Sequence, residues 1–261
     1  MESPNVSFLR DNYLLFASSP ILILLLFQLS LYIISNYKQV QINPENLFID
    51  ILKKGHMNYV TSRDIYSYLY HLFPELNSTN DLIILLKKKR FLDIGSGLNH
   101  LNKDSLLYKL NKKGSKWAKG IEISKFNKNK SYIHESLYNT KLPDNYIDMI
   151  VSHYVLYSHI YDILKLKKTL KETYRILKRT GEIRIYPVYF GNYYLGNNKF
   201  KKWINKHFTV KLINPKYYCD KNKILCNYPC NEKFEIYSDK HIMEIIRHYV
   251  LNVKTVIFIK K

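Results

Sequence analysis

Cysteine and acidic residues are both scarce in this sequence. Only three of its 261 residues are cysteine, Cys219, Cys226 and Cys230, and all fall in one late segment. A small, odd number gathered in one place does not suggest a disulfide scaffold. No CxxC pair occurs among them, so the signature of a structural zinc site is missing. His241 and His248 follow closely enough to be weighed as ligands, but reduced thiols are the simpler reading and no metal is assigned. Acids number 21 against 41 basic residues, a formal charge of +20. Such an excess suits RNA, DNA or anionic lipid as a partner. The lysines are nevertheless spread along the chain, and the abundance of Lys, Asn, Ile and Tyr is also what a compositional bias of the genome yields. No internal repeat is evident.

Charge is absent altogether between Asp11 and Lys38. Residues 13–34 are almost wholly apolar, about the length a spanning helix needs, although Ser18, Ser19 and Pro20 interrupt the run. A signal peptide fits poorly. Only Arg10 is basic beforehand, Glu2 and Asp11 offset it, and no small-x-small cleavage site follows. The segment reads as a single membrane anchor, with a buried hydrophobic helix and a processed targeting segment as alternatives. Lys38, Lys53 and Lys54 follow it, which places the remainder on the cytoplasmic side; a soluble cytoplasmic protein is the alternative location. The expected division is 1–38 as this hydrophobic segment and 39–261 as one folded domain. A hydrophobic content of 46% and an aromatic content of 15% support a folded chain, long enough for one sizeable core.

Within 39–261, residues 39–49 read as a linker with a turn at Asn43-Pro44. Apolar residues recur at helical spacing at Ile65, Tyr68, Leu69 and Leu72, with Thr61 or Ser62 as cap and Pro74 as terminator. A second helix starts at Asn80-Asp81. Phe91 to Ile94 form a short buried strand, and Gly95-Ser96-Gly97 a tight turn. A crossover helix follows over Ser105 to Leu110, then strands at Ala118 to Ser124, Ser131 to His134 and Tyr146 to Ser152. The spacing predicts a helix from Ile160 to Leu177, closed by Lys178-Arg179-Thr180-Gly181, and a fifth strand from Glu182 to Val188. Phe190 to Ile204 is expected to be a loop over the site. A strand at 210–213, a helix at 242–250 and a strand at 254–259 complete the pattern. Strands alternating with helices predict an α/β fold, a Rossmann-like, doubly wound, mostly parallel sheet covered on both faces.

The chemistry gathers at the first strand. Glycine lets a ligand approach the backbone of the turn, and the helix N-terminus behind it offers free N–H groups. A dinucleotide fingerprint wants a third glycine, and His100 occupies that place. Asp93 would repel a pyrophosphate and favours a ligand carrying a positive group; its plainer role is to cap the turn. Glu122, at the end of strand two, suits the two hydroxyls of a ribose.

The run Asp93-Ile94-Gly95-Ser96-Gly97 resembles the first motif of the class I S-adenosylmethionine-dependent methyltransferases. Leu142-Pro143-Asp144-Asn145, followed by Tyr146 to His153, is similar to the family's fourth-strand region, and Leu170 to Glu182 to its helix and turn before strand five. The resemblance covers about Lys89 to Pro187. It implies S-adenosylmethionine as cofactor, with Gly95, Ser96 and Gly97 lining it, Asp93 at its amino-acid end and Glu122 at its ribose. Glu135 or Ser136 stands where the family contacts the adenine, and Ser152 and His153 lie near the transferable methyl. His153 is the candidate base, or else a polar residue closing the strand. Tyr154, Tyr186 and Tyr189 wall an acceptor pocket or belong to the core. A small molecule or lipid is the favoured acceptor. An RNA methyltransferase and a catalytically silent Rossmann-like binding module are the rivals. Oligomeric state is not fixed by the sequence.

Overall fold

The computed structural model describes residues 28–29, 63–96, 103–121, 131–133, 135, 137–157, 160, 162–216 and 251–261. The expected anchor at 13–34 (apart from Gln28 and Leu29), the linker, the three cysteines with His241 and His248, and the helix at 242–250 lie outside these residues. So do Gly97, Glu122 and Ser136. No described helix is long and apolar enough to cross a membrane.

Two helices precede the sheet, α1 (Ile65–Leu72) and α2 (Thr79–Lys87). The sheet elements follow as β1 (Arg90–Ile94), α3 (Leu106–Lys112), β2 (Trp117–Ile121), β3 (Tyr132–Ile133), β4 (Ile147–His153), α4 (Ile163–Ile176) and β5 (Leu177–Val188). A 3₁₀ turn (Tyr189–Gly191), α5 (Asn198–His207), β6 (Phe208–Ile213) and β7 (Lys254–Lys260) complete the order. The seven strands lie in the order β3-β2-β1-β4-β5-β7-β6. Strands β1 to β5 are parallel, and β7 runs antiparallel to both β5 and β6. The Rossmann-like, mostly parallel sheet expected from the sequence is therefore present, with its last two strands as an antiparallel edge.

Central β4 is buried along almost its whole length, as a parallel strand covered on both faces must be. Edge strand β6 buries only Phe208 and leaves Leu212 45% exposed. Strand order reverses between β1 and β4, which both lie next to each other at the centre. In open α/β sheets that switch point opens a crevice at the carboxyl ends of the strands.

Several boundaries differ from those read in the sequence. Helix α1 is capped by Asp64, whose carboxylate accepts from Ser67 N at 2.9 Å, and not by Thr61 or Ser62. Helix α4 stops at Ile176, because Leu177 is already extended, fully buried and paired with Ile147. The run Lys178 to Gly181 is thus no helix terminus. It is an irregularity in β5, where partners jump from Ile147↔Leu177 to Met149↔Glu182 and Thr180 takes φ 63. Lys178 there reaches Asp148 at 2.6 Å. The expected loop at 190–204 is ordered for its second half into α5, capped by Asn197, which accepts from Phe200 N. Its apolar Phe200 and Ile204 are buried, at helical spacing.

Helix α4 is tied to the segment before β4 by a buried carboxylate. Glu172 accepts from Thr140 N and Thr140 Oγ1, both at 2.7 Å, and from Arg175 Nη2 at 2.6 Å. Burial raises its pKa, but the bonds from Arg175 and Thr140 more than offset that, and the pKa lies below the ordinary value. A carboxylate depressed in the folded state adds stability above its unfolded pKa of about 4.3. That stability is lost as pH falls through the lower, folded value. Glu172→Gln should therefore cost about 2 kcal/mol at pH 7 and flatten the acid limb of a thermal-melting series. A variant as acid-labile as the parent would take Glu172 out of this account.

Candidate functional site

At the end of β1 the backbone turns through Gly95, which takes φ +68 and donates its N–H to Ile121 O at 2.9 Å. A Cβ there would lie 2.1 Å from Val155 Cγ2. Thus the turn after β1 and the turn after β4 press together at the switch point, and only glycine allows it. Ser96, next in line, is buried, and its Oγ makes no hydrogen bond among the described residues. That hydroxyl packs against β2, where a Cβ on Gly120 would come within 2.0 Å of it.

Asp93 is 1% exposed. A buried carboxylate is costly unless hydrogen-bonded or paired with a cation. Tyr68, on α1, donates its hydroxyl to Asp93 Oδ2 at 2.6 Å. Helix α1 thus covers the carboxyl ends of the central strands, and it is held there by its C-terminal carbonyls. Arg184 on β5 donates to Leu72 O at 2.9 Å, and Thr255 on β7 donates its hydroxyl to His71 O. Arg184 also pairs with Glu75 and Glu182.

His153 is the last residue of β4 and is buried. Its Nε2 lies 2.9 Å from Nδ1 of His71, on α1. Around this pair stand aromatic rings. Tyr186 stacks on His71 at 4.2 Å between centroids, and Tyr154 lies 4.7 Å and Tyr68 5.1 Å from His153. Arg63 sits 4.5 Å over the Tyr154 ring. Tyr154 and Tyr157 both have positive φ, 64 and 65, a strained conformation for bulky residues that clusters at functional sites. Ser152 is fully buried, and its hydroxyl accepts from Leu156 N at 3.0 Å, closing that turn.

Of the residues singled out in the sequence, Asp93, Gly95, Ser96, Ser152 and His153 come together at one end of the sheet, with Tyr154 and Tyr186 beside them. Tyr189 is buried just beyond β5. Glu135 accepts from Lys141 N at 2.6 Å. Sequence reasoning missed His71 and Val155 and took Tyr68 for an apolar core position. No group of three or more metal-ligating side chains occurs among the described residues.

The arrangement fits a ligand with a positive group and a close approach to backbone. It offers a buried acid, a buried serine hydroxyl and a glycine whose missing side chain keeps the turn low. A family described as "Methyltransferase domain" matches residues 92–185, which run from within β1 to within β5 and include Asp93, Gly95, Ser96, Ser152, His153 and Tyr154. No curated protein matches the chain. Among solved structures, an S-adenosylmethionine-dependent methyltransferase from Archaeoglobus fulgidus is 19% identical, with 83% of this chain and 99% of that one covered and a TM-score of 0.43. A Listeria monocytogenes protein assigned to the same activity is 13% identical, with coverages of 69% and 94% and a TM-score of 0.44. A Haloferax volcanii protein assigned as a methyltransferase, in complex with the Trm112 methyltransferase activator, is 12% identical, with coverages of 69% and 88% and a TM-score of 0.44. Strand order and glycine turn agree with the methyltransferase-domain match, which takes in less than half of the chain. Residues 92–185 thus carry a methyltransferase-domain match.

Proposed function

We propose that the chain methylates a small-molecule or lipid acceptor, with His153 as the base where the acceptor must lose a proton. The observation that carries this reading is the cluster of buried aromatic and imidazole rings at the carboxyl ends of β1, β4 and β5. It comprises Tyr68 and His71 of α1 with His153, Tyr154 and Tyr186 from the strand ends, all buried. Arg63 lies over the Tyr154 ring at its edge. A shallow, lysine-lined face would favour a polynucleotide; a buried aromatic cluster favours a compact acceptor. The uncharged run between Asp11 and Lys38 supports a membrane anchor over 13–34, with the domain on the cytoplasmic side, and so an acceptor held in or near lipid.

When bound, S-adenosylmethionine supplies a methyl group already activated on a sulfonium. The protein's work is then alignment and exclusion of water. Asp93 suits the ammonium of the donor's amino-acid end. Gly95 and Ser96 bring the backbone of the turn against it, and Gly97, Glu122 and Ser136 complete the reading from the family resemblance. Ser152 holds the turn that carries Tyr154 and Val155. His153 takes the proton.

Calorimetry on the full chain should show binding of S-adenosylmethionine, with NAD much weaker. Incubation with methyl-labelled donor and a total extract should then put label into organic-soluble small molecules. Label in RNA would replace this acceptor class by the RNA reading. Donor binding with no label in any fraction would favour the silent module, and tighter NAD binding would overturn the assignment of the donor.

A further inference from the structure

The buried pair His71–His153 joins residues 82 positions apart in sequence at 2.9 Å, and the role given to His153 above does not account for it. The geometry points to His71 as the positioning residue that fixes the tautomer of His153, so that Nδ1 of His153 carries no proton and can act as base. This rests on the reading of His153 as the base.

Only one proton fits between two imidazole nitrogens 2.9 Å apart. If His153 Nε2–H donates to His71 Nδ1, both neutral rings are in the Nε2–H form. If His71 Nδ1–H donates to His153 Nε2, both are in the Nδ1–H form. A neutral histidine side chain intrinsically favours Nε2–H, so the first arrangement satisfies both rings at once. It also leaves Nδ1 of His153 bare, the state a base requires. The reverse arrangement would put a proton on Nδ1 and make His153 a donor.

The surrounding structure holds His71 for this task. Its ring is stacked on Tyr186 with an interplanar angle of 16°, its backbone carbonyl is bound by Thr255, and the next carbonyl is bound by Arg184. Among the described residues, ionisable groups packed around the pair include Tyr68 with Asp93, Tyr154 with Arg63, and Tyr186. During transfer the acceptor gives one proton to Nδ1 of His153. Its electron pair bonds to the donor's methyl carbon, and the carbon–sulfur pair stays on sulfur. His153 then bears a charge, and its Nε2–H bond to the neutral His71 nitrogen becomes charge-assisted and stronger.

The test is a long-range proton–nitrogen correlation spectrum of the full chain labelled with ¹⁵N in its histidine rings, at neutral pH and without an acceptor. His153 is assigned by the loss of its signals in His153→Gln, and His71 by their loss in His71→Asn. The wild-type protein should show both rings as single Nε2–H tautomers. His71→Phe keeps the stack on Tyr186 but offers no acceptor, and should leave His153 as a mixture of tautomers. His71→Asn, whose Oδ1 falls close to the place of Nδ1, should restore a single one. A proton on Nδ1 of His153 in the wild-type protein overturns the inference, and so does a His153 spectrum that His71→Phe leaves unchanged. Should His71→Phe fail to fold, the wild-type tautomer still decides. Failure of the wild-type chain to bind S-adenosylmethionine by calorimetry would instead strike the functional reading, independently of the tautomer result.

Discussion

Asp93→Asn is expected to weaken S-adenosylmethionine binding by about 10- to 100-fold, the loss of one charge-assisted hydrogen bond, while the fold persists. Asparagine keeps the volume of the side chain and can still accept from the Tyr68 hydroxyl, now 2.6 Å from Oδ2. What it removes is the negative charge, which at 1% exposure acts through a medium far less polarisable than water. The effect should depend on one group of the ligand. 5′-Methylthioadenosine has the adenosine and the sulfur but no ammonium, and should bind parent and variant alike. Calorimetry with both ligands makes the comparison. Equal weakening of both would mean that Asp93 supports the turn and does not face the amino-acid end. Unchanged affinity for both would remove it from the donor site.

The sheet was legible in the sequence because its signals are local. Phe91 to Ile94 read as a buried run before glycines, and the structure ends β1 at Ile94 with Gly95 at positive φ. Tyr146 to Ser152 read as a buried strand after a Pro-Asp-Asn turn, and β4 occupies Ile147–His153. The strands at 210–213 and 254–259 fell within β6 and β7. What failed locally failed where tertiary pairing outweighs the local signal. Basic residues followed by glycine look like a helix end, yet at Lys178 to Gly181 they form a bulge in β5, because Leu177 is drawn into the sheet beside Ile147. Much of the site was illegible for a different reason. His71 meets His153 across 82 positions and Tyr68 meets Asp93 across 25. No spacing rule along one chain encodes such contacts, and on helix α1 both residues are indistinguishable from a buried aromatic stripe. Ser152 was legible as a site position only by resemblance, and what the geometry adds is its bond to Leu156 N.

Gly95→Ala should lower stability by about 2–4 kcal/mol, and should cost donor affinity in whatever fraction remains folded. Two separate penalties combine. A residue with a Cβ at φ +68 pays about 1–2 kcal/mol for the left-handed backbone. The methyl would also sit 2.1 Å from Val155 Cγ2 and 3.1 Å from Val155 Cβ, a contact that cannot persist, so one of the two turns must move. Neither turn is free to do so. The Gly95 N–H is bound to Ile121 O, and Val155 lies between Tyr154 and Leu156, the latter held by Ser152. A double-mutant cycle separates the penalties. Val155→Ala removes Cγ2 and should recover the steric share when combined with Gly95→Ala, and the backbone share should remain. Denaturant melts give the stabilities and calorimetry gives the donor affinities. If the double variant is no better than Gly95→Ala alone, the contact between the two turns is not what requires glycine here. If Gly95→Ala is as stable as the parent and binds the donor equally well, the turn after β1 is not the close-approach element of the site.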